Sequence, residues 1–80
     1  MKMIATKPLY RRNAALFVEQ ATALNQPLLL KKGHLTANGQ SLLGVITLTI
    51  LPGDTIDFIS AASLSSLIQY VEECALFRKA

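Results

Sequence analysis

The spacing of apolar residues along this chain changes several times, and each change marks an element. Met3-Ile4-Ala5 is a short apolar run that predicts a first strand. From Arg11 to about Leu24, Ala14, Phe17, Val18 and Ala21 recur at i, i+3, i+4 and i+7, which is one face of a helix. Asn25 and Pro27 end it, because Asn tolerates a left-handed stop and Pro cannot donate to the helix ladder. Leu28 to Lys32 predicts a second strand, Gly33-His34 a tight hairpin turn, and Leu35-Thr36-Ala37 a third strand.

Asn38-Gly39 breaks the pattern again. Ser41 can then cap a short, very apolar helix from Leu42 to about Thr49. Pro52-Gly53-Asp54 predicts a turn, and Thr55 to Ile59 alternates as a half-buried strand does. Leu64, Leu67, Ile68, Val71 and Ala75 then follow helical spacing, with Ser60 or Ser63 as cap. Arg78 and Lys79 fall at the expected C-terminal end of that helix, where its dipole favours cations.

The predicted order is β-α-β-β-α-β-α, an α+β fold in one domain spanning residues 1–80. Three apolar helix stripes need one common surface to cover. A four-stranded, mostly antiparallel sheet with three helices on one face, an open-faced sandwich, provides it. Phe17, Val18, Ile56, Phe58, Leu64, Leu67, Ile68 and Val71 are the expected core.

Composition narrows the class. With 51% hydrophobic and 16% charged residues the chain is globular, not disordered. At 80 residues it buries only about 60% of its unfolded surface, so stability on the order of 5 kcal/mol is expected. One cysteine, Cys74, excludes an internal disulfide and fits a reducing cytoplasm, where it reads as a small buried hydrophobe. Gly33 to Gly53 holds no formally charged side chain. Polar residues and Pro52 interrupt that stretch, leaving about half the ~20 apolar residues a membrane span needs. A cytoplasmic protein without membrane contact, metal or cofactor is expected.

The net charge of +3 raises the question of nucleic acid. The cations fall into separate pairs, Arg11/Arg12, Lys31/Lys32 and Arg78/Lys79, without the interleaved aromatics that base stacking requires. Solvated surface charge is the better reading, and no nucleic-acid partner is expected. His34, the single histidine, reads as a turn residue.

Two segments carry a family resemblance. Pro8-Leu9-Tyr10-Arg11-Arg12-Asn13-Ala14-Ala15-Leu16-Phe17-Val18 is similar to the active-site segment of HPr, the histidine-containing phosphocarrier of the bacterial sugar phosphotransferase system. The family pattern there is Gly-Leu-His-x-Arg-Pro-Ala-x-x-Phe-Val. Ser41-Leu42-Leu43-Gly44-Val45-Ile46-Thr47-Leu48 resembles the regulatory-serine segment of Gram-positive HPr proteins. Tyr10 and Ser41 are separated as the family's histidine and serine are, and Gly53 matches its turn glycine. The resemblance covers residues 1–78 and implies the HPr-type open-faced sandwich.

The departures lie where the family's function resides. Tyr10 stands at the histidine position, Pro8 at the glycine, Arg11 at a small residue and Asn13 at the proline; Arg12 matches the active-site arginine. A phenol with a reference pKa of about 10 is mostly protonated at neutral pH, and its phosphate ester is a poor donor. The chain therefore resembles a non-carrier member of the family. It is similar to Crh, the paralogue that lacks the histidine and acts through its serine. That resemblance implies a regulatory or protein-binding module, not an enzyme. Its expected partner is a protein: a phosphotransferase-system enzyme, a kinase or a transcription regulator. Arg11 and Arg12 are candidates for an anion or acidic partner. Ser41 is a helix cap and a candidate phosphorylation site, although Gln40 replaces the lysine that precedes it in many members. Leu42, Leu43 and Ile46 are candidates for partner docking. The alternatives are a carrier using Tyr10 as acceptor, or a domain recruited to an unrelated assembly.

Overall fold

A computed structural model describes residues 1–80. Its elements are β1 (Lys2–Ala5), α1 (Arg12–Thr22), β2 (Leu29–Lys32), β3 (Leu35–Asn38), α2 (Leu42–Thr47), β4 (Thr55–Ile59), α3 (Ser65–Glu73) and β5 (Phe77–Lys79). The strands form one sheet in the order β3-β2-β4-β1-β5, and every pairing in it is antiparallel.

Alternation along the strands decides which face is covered. Met3 and Ala5 of β1, Leu30 of β2, Ile56 and Phe58 of β4 and Phe77 of β5 are buried. Their neighbours Lys2, Leu29, Lys31, Thr55, Ile59 and Arg78 are exposed on the other face. The helices cover the first set. Ala14, Phe17 and Ala21 of α1, Val45 of α2, and Leu67, Ile68 and Val71 of α3 join the strand residues in one cluster. At its centre Phe17, Phe58 and Phe77 pack mutually, with centroids 5.6, 5.8 and 5.0 Å apart. Two of these contacts are edge-on, the arrangement that aromatic quadrupoles favour.

The expected α+β architecture is present, with corrections at its margins. The sheet has five strands, not four. β5 pairs with β1 through Ala5↔Phe77, Ile4↔Arg78 and Met3↔Lys79. Arg78 and Lys79 therefore lie on an edge strand and not at the end of the last helix. That helix stops at Glu73, and Ala75 follows with a left-handed φ of 55°. Its N-cap is Leu64; Ser63 contributes nearby, its Oγ accepting the Ser65 N–H at 3.4 Å. Val18 and Leu64 are half-buried and pack against the core, and Cys74 is half-buried too. Leu9, Leu28, Leu48, Ile50 and Leu76, which lie outside the helical stripes, complete the core.

Candidate functional site

The segment joining β1 to α1 is anchored on both sides, leaving Tyr10 projecting. The Thr6 Oγ1 and Lys7 Nζ donate to the carbonyls of Ala75 and Cys74 beyond α3. Leu9 is buried, and its N–H donates to the Ile50 carbonyl at 3.0 Å. The Asn13 side-chain amide donates to the Pro8 carbonyl at 3.1 Å and its N–H to the Tyr10 carbonyl at 3.2 Å. Held this way, the Tyr10 side chain is 56% exposed.

Arg11 is the N-cap residue of α1, not part of its first turn, and it caps with no side-chain hydrogen bond. Its φ of 51° with ψ of −121° lies where a residue with a Cβ is strained by about 1–3 kcal/mol. Its guanidinium sits 5.4 Å from the Tyr10 ring centroid, a cation–π contact of about 0.5–1 kcal/mol at an exposed site. Arg12 opens the helix proper, and no acidic residue occupies the first turn. Both arginines are exposed, and neither has an ion-pair partner. The head of α1 thus carries two cations and no side-chain cap, with the exposed Tyr10 phenol beside Arg11.

Ser41 caps α2 as its position suggests. In extended backbone conformation it accepts the Gly44 N–H on Oγ at 3.1 Å. A Cβ on Gly44 would lie 3.2 Å from the Asn38 carbonyl and 3.3 Å from the Ser41 Cβ, so this close turn suits glycine. α2 ends at Thr47, two residues earlier than its apolar run suggests. Its apolar side chains divide into two sets. Val45 and, just beyond the helix, Leu48 point into the core; Leu42 and Leu43 stay exposed, Leu43 by 75%. Ile46 is half-buried against the core, so of the three docking candidates it offers the least free surface.

Four of the candidates line two depressions, and Arg11, Arg12 and Leu42 line neither. Tyr10 and Ile46 line one with Pro8, Leu9, Thr49, Ile50 and Leu51. Ser41 and Leu43 line another, between α2 and β3. His34 lies exposed in the β2–β3 turn and belongs to neither.

Two residues with larger roles than the sequence indicates are Lys32 and Gln40. The Lys32 Nζ reaches the Thr49 carbonyl at 2.6 Å and the Asp54 carboxylate at 2.9 Å. The hydrogen bond from Lys32, reinforced by one from the Leu51 N–H, lowers the Asp54 pKa below its ordinary 3.8. The Gln40 Nε2 donates to the carbonyls of Ala21 and Gln26 at 3.0 and 2.6 Å, tying the approach to α2 to the end of α1. Burial pushes the Tyr70 phenol up, and Cys74 beside it adds to the effect. No three His, Cys, Asp or Glu side chains form a metal-binding cluster, and no helix is long and apolar enough to cross a membrane.

An antiparallel sheet with its helices on one face, and an exposed side chain presented at the head of the first helix, defines the architecture of the small phosphocarrier domains. The family model for the HPr component of the phosphotransferase system, described by its phosphorylation site, matches residues 2–70, and the chain belongs to this HPr family. Among solved structures, the chain is similar to a histidine-containing phosphocarrier protein of Mycoplasma at 18% identity and a TM-score of 0.84, covering 95% of this chain and 94% of that one. That likeness concerns the fold. It is also similar to a phosphocarrier HPr from Bacillus anthracis at 25% identity and a TM-score of 0.71, covering 94% and 92%. Crh of Bacillus subtilis, described as an intertwined, domain-swapped dimer, is 29% identical with a TM-score of 0.70, covering 88% and 85%. Comparison with curated proteins finds no match.

Proposed function

We propose that this HPr-family chain is a protein-binding regulatory module and does not carry a phosphoryl group. The observation that carries this reading is the identity and setting of Tyr10. The exposed side chain at the head of α1 is a phenol, and the single histidine sits in a different turn. A phosphoryl carrier needs a leaving group that releases phosphate readily, as an imidazole nitrogen does. A phenol does not, because its phosphate ester holds the phosphoryl group far more firmly than an N–P bond does. Arg11, at a strained backbone position and in contact with the Tyr10 ring, sets the pose of this phenol.

Binding is supported by the exposed pair Leu42 and Leu43, apolar side chains the sheet leaves uncovered. Arg11 and Arg12 add charge suited to an acidic partner surface. The partner is a phosphotransferase-system enzyme, a kinase or a transcription regulator, and Ser41 is the site where modification controls docking. A phosphate on Ser41 would place a dianion beside Leu42 and Leu43, favouring a basic partner and repelling an acidic one.

Incubating the chain with phosphoenolpyruvate and the first enzyme of the phosphotransferase system tests the reading. Intact-mass measurement is expected to show no added phosphate, and stoichiometric label on Tyr10 or His34 would overturn it.

A further inference from the structure

The two edges of the sheet are guarded differently. β5 closes one side with Arg78 and Lys79, both exposed. β3 closes the other with Leu35-Thr36-Ala37-Asn38, which has no charge and no proline. Charged and proline residues are what keep an exposed edge from pairing with a foreign strand. β3 has neither safeguard.

Its backbone is also available. Lys32↔Leu35 and Leu30↔Ala37 are in register across a two-residue turn and form the hydrogen-bonded pairs of the hairpin. Thr36, between them, therefore turns its N–H and C=O away from β2, and neither group joins any turn, loop or cap hydrogen bond. Beside this edge runs a groove of about 420 Å³ between β3 and α2, lined by Leu35, Ala37, Ser41, Leu43, Thr47 and Leu48 among others, with no ionised side chain. Leu35 and Leu43, 59% and 75% exposed, are the most exposed large apolar residues of the chain.

The geometry points to a second copy of this chain as the occupant: β3 of one copy pairs antiparallel with β3 of the other, about a two-fold axis at Thr36. Such an interface is self-complementary, as a symmetric dimer requires. Thr36 of each copy exchanges both backbone hydrogen bonds with its counterpart, and the two sheets become one. An uncharged strand suits an uncharged groove, because no ion is stripped of water and none is left unpaired. β3 carries none of the chain's net charge of +3, so copies meet there without like charges opposed on the strand. The strip is short against the roughly 1,200–2,000 Å² of a stable interface, so the dimer is weak and depends on concentration. It covers Leu43, so self-association excludes any other protein that docks through that residue.

Sedimentation equilibrium from micromolar to millimolar concentration tests this. The average mass of the wild-type chain should rise from 8.7 kDa toward twice that value. Leu35→Lys should hold it at the monomer mass, while Leu29→Lys, on the uncovered sheet face, should associate like wild type. Should Leu35→Lys misfold, exchange of the Thr36 amide in the wild-type chain decides, since its protection must grow with concentration. A chain that stays monomeric at millimolar concentration, or a dimer that Leu35→Lys leaves intact, overturns the proposal. So does a Thr36 amide whose exchange ignores concentration.

Discussion

The Lys32 ammonium and the Asp54 carboxylate meet at 2.9 Å and join the end of β2 to the segment linking α2 and β4. Lys32 also donates to the Thr49 carbonyl, and Asp54 accepts the Leu51 N–H at 2.8 Å, so one ion pair organises this whole linker. The same linker supplies the Ile50 carbonyl that receives the Leu9 N–H. The loop that carries Tyr10 is thus joined, through this linker, to a cation in a distant strand.

That pair should make stability depend on pH in a defined direction. Asp54 titrates below its ordinary 3.8 in the folded chain, so it contributes stability above that pH and loses it as the folded carboxyl protonates. Both side chains are about 29% exposed, which places the pair toward the upper end of the ~0.2–1 kcal/mol range of solvent-screened pairs. Urea unfolding of Asp54→Asn should show a loss of that size at pH 7. The difference from wild type should shrink as pH falls below 3.8. An unchanged difference at low pH would remove Asp54 from this role.

Phe77 tests the fifth strand. It is buried and touches both Phe17 and Phe58, so Phe77→Ala should cost about 3–5 kcal/mol, a large share of a small domain's stability. Arg78→Ala, on the uncovered face of the same strand, should shift stability by no more than ~0.5 kcal/mol. Thermal melts of the two variants separate a docked strand, for which only the first matters, from a frayed terminus, for which neither does.

Ser41 can be separated into cap and switch. The Gly44 N–H bond predicts that Ser41→Ala loses about 1 kcal/mol while Ser41→Asp, which can also accept that bond, is nearly neutral. Chemical denaturation checks both values. Recovery of the same partner by the unmodified and Ser41-phosphorylated chains would leave only the cap. Loss of that partner in Leu43→Asp, with the fold intact, would still place docking on α2.

Local periodicity was enough for much of this protein. The i, i+3, i+4, i+7 stripe of α1, the alternation of β4, the Gly33-His34 turn and the Ser41 cap each depend on residues within a few positions of one another. The mismatch at Tyr10 was legible too, from two motifs a set distance apart in the sequence. Tertiary structure alone decided β5, because three residues with two adjacent cations carry no strand pattern until β1 supplies partners for their backbone groups. It also decided that Lys32 is a bridge while Lys31 is solvated, since neighbouring strand residues face opposite sides and only Lys32 meets Asp54. The division of α2 into buried Val45, half-buried Ile46 and exposed Leu43 was settled in the same way. A helix apolar on nearly every side does not announce which side the sheet will cover, and that choice belongs to packing between elements distant in the chain.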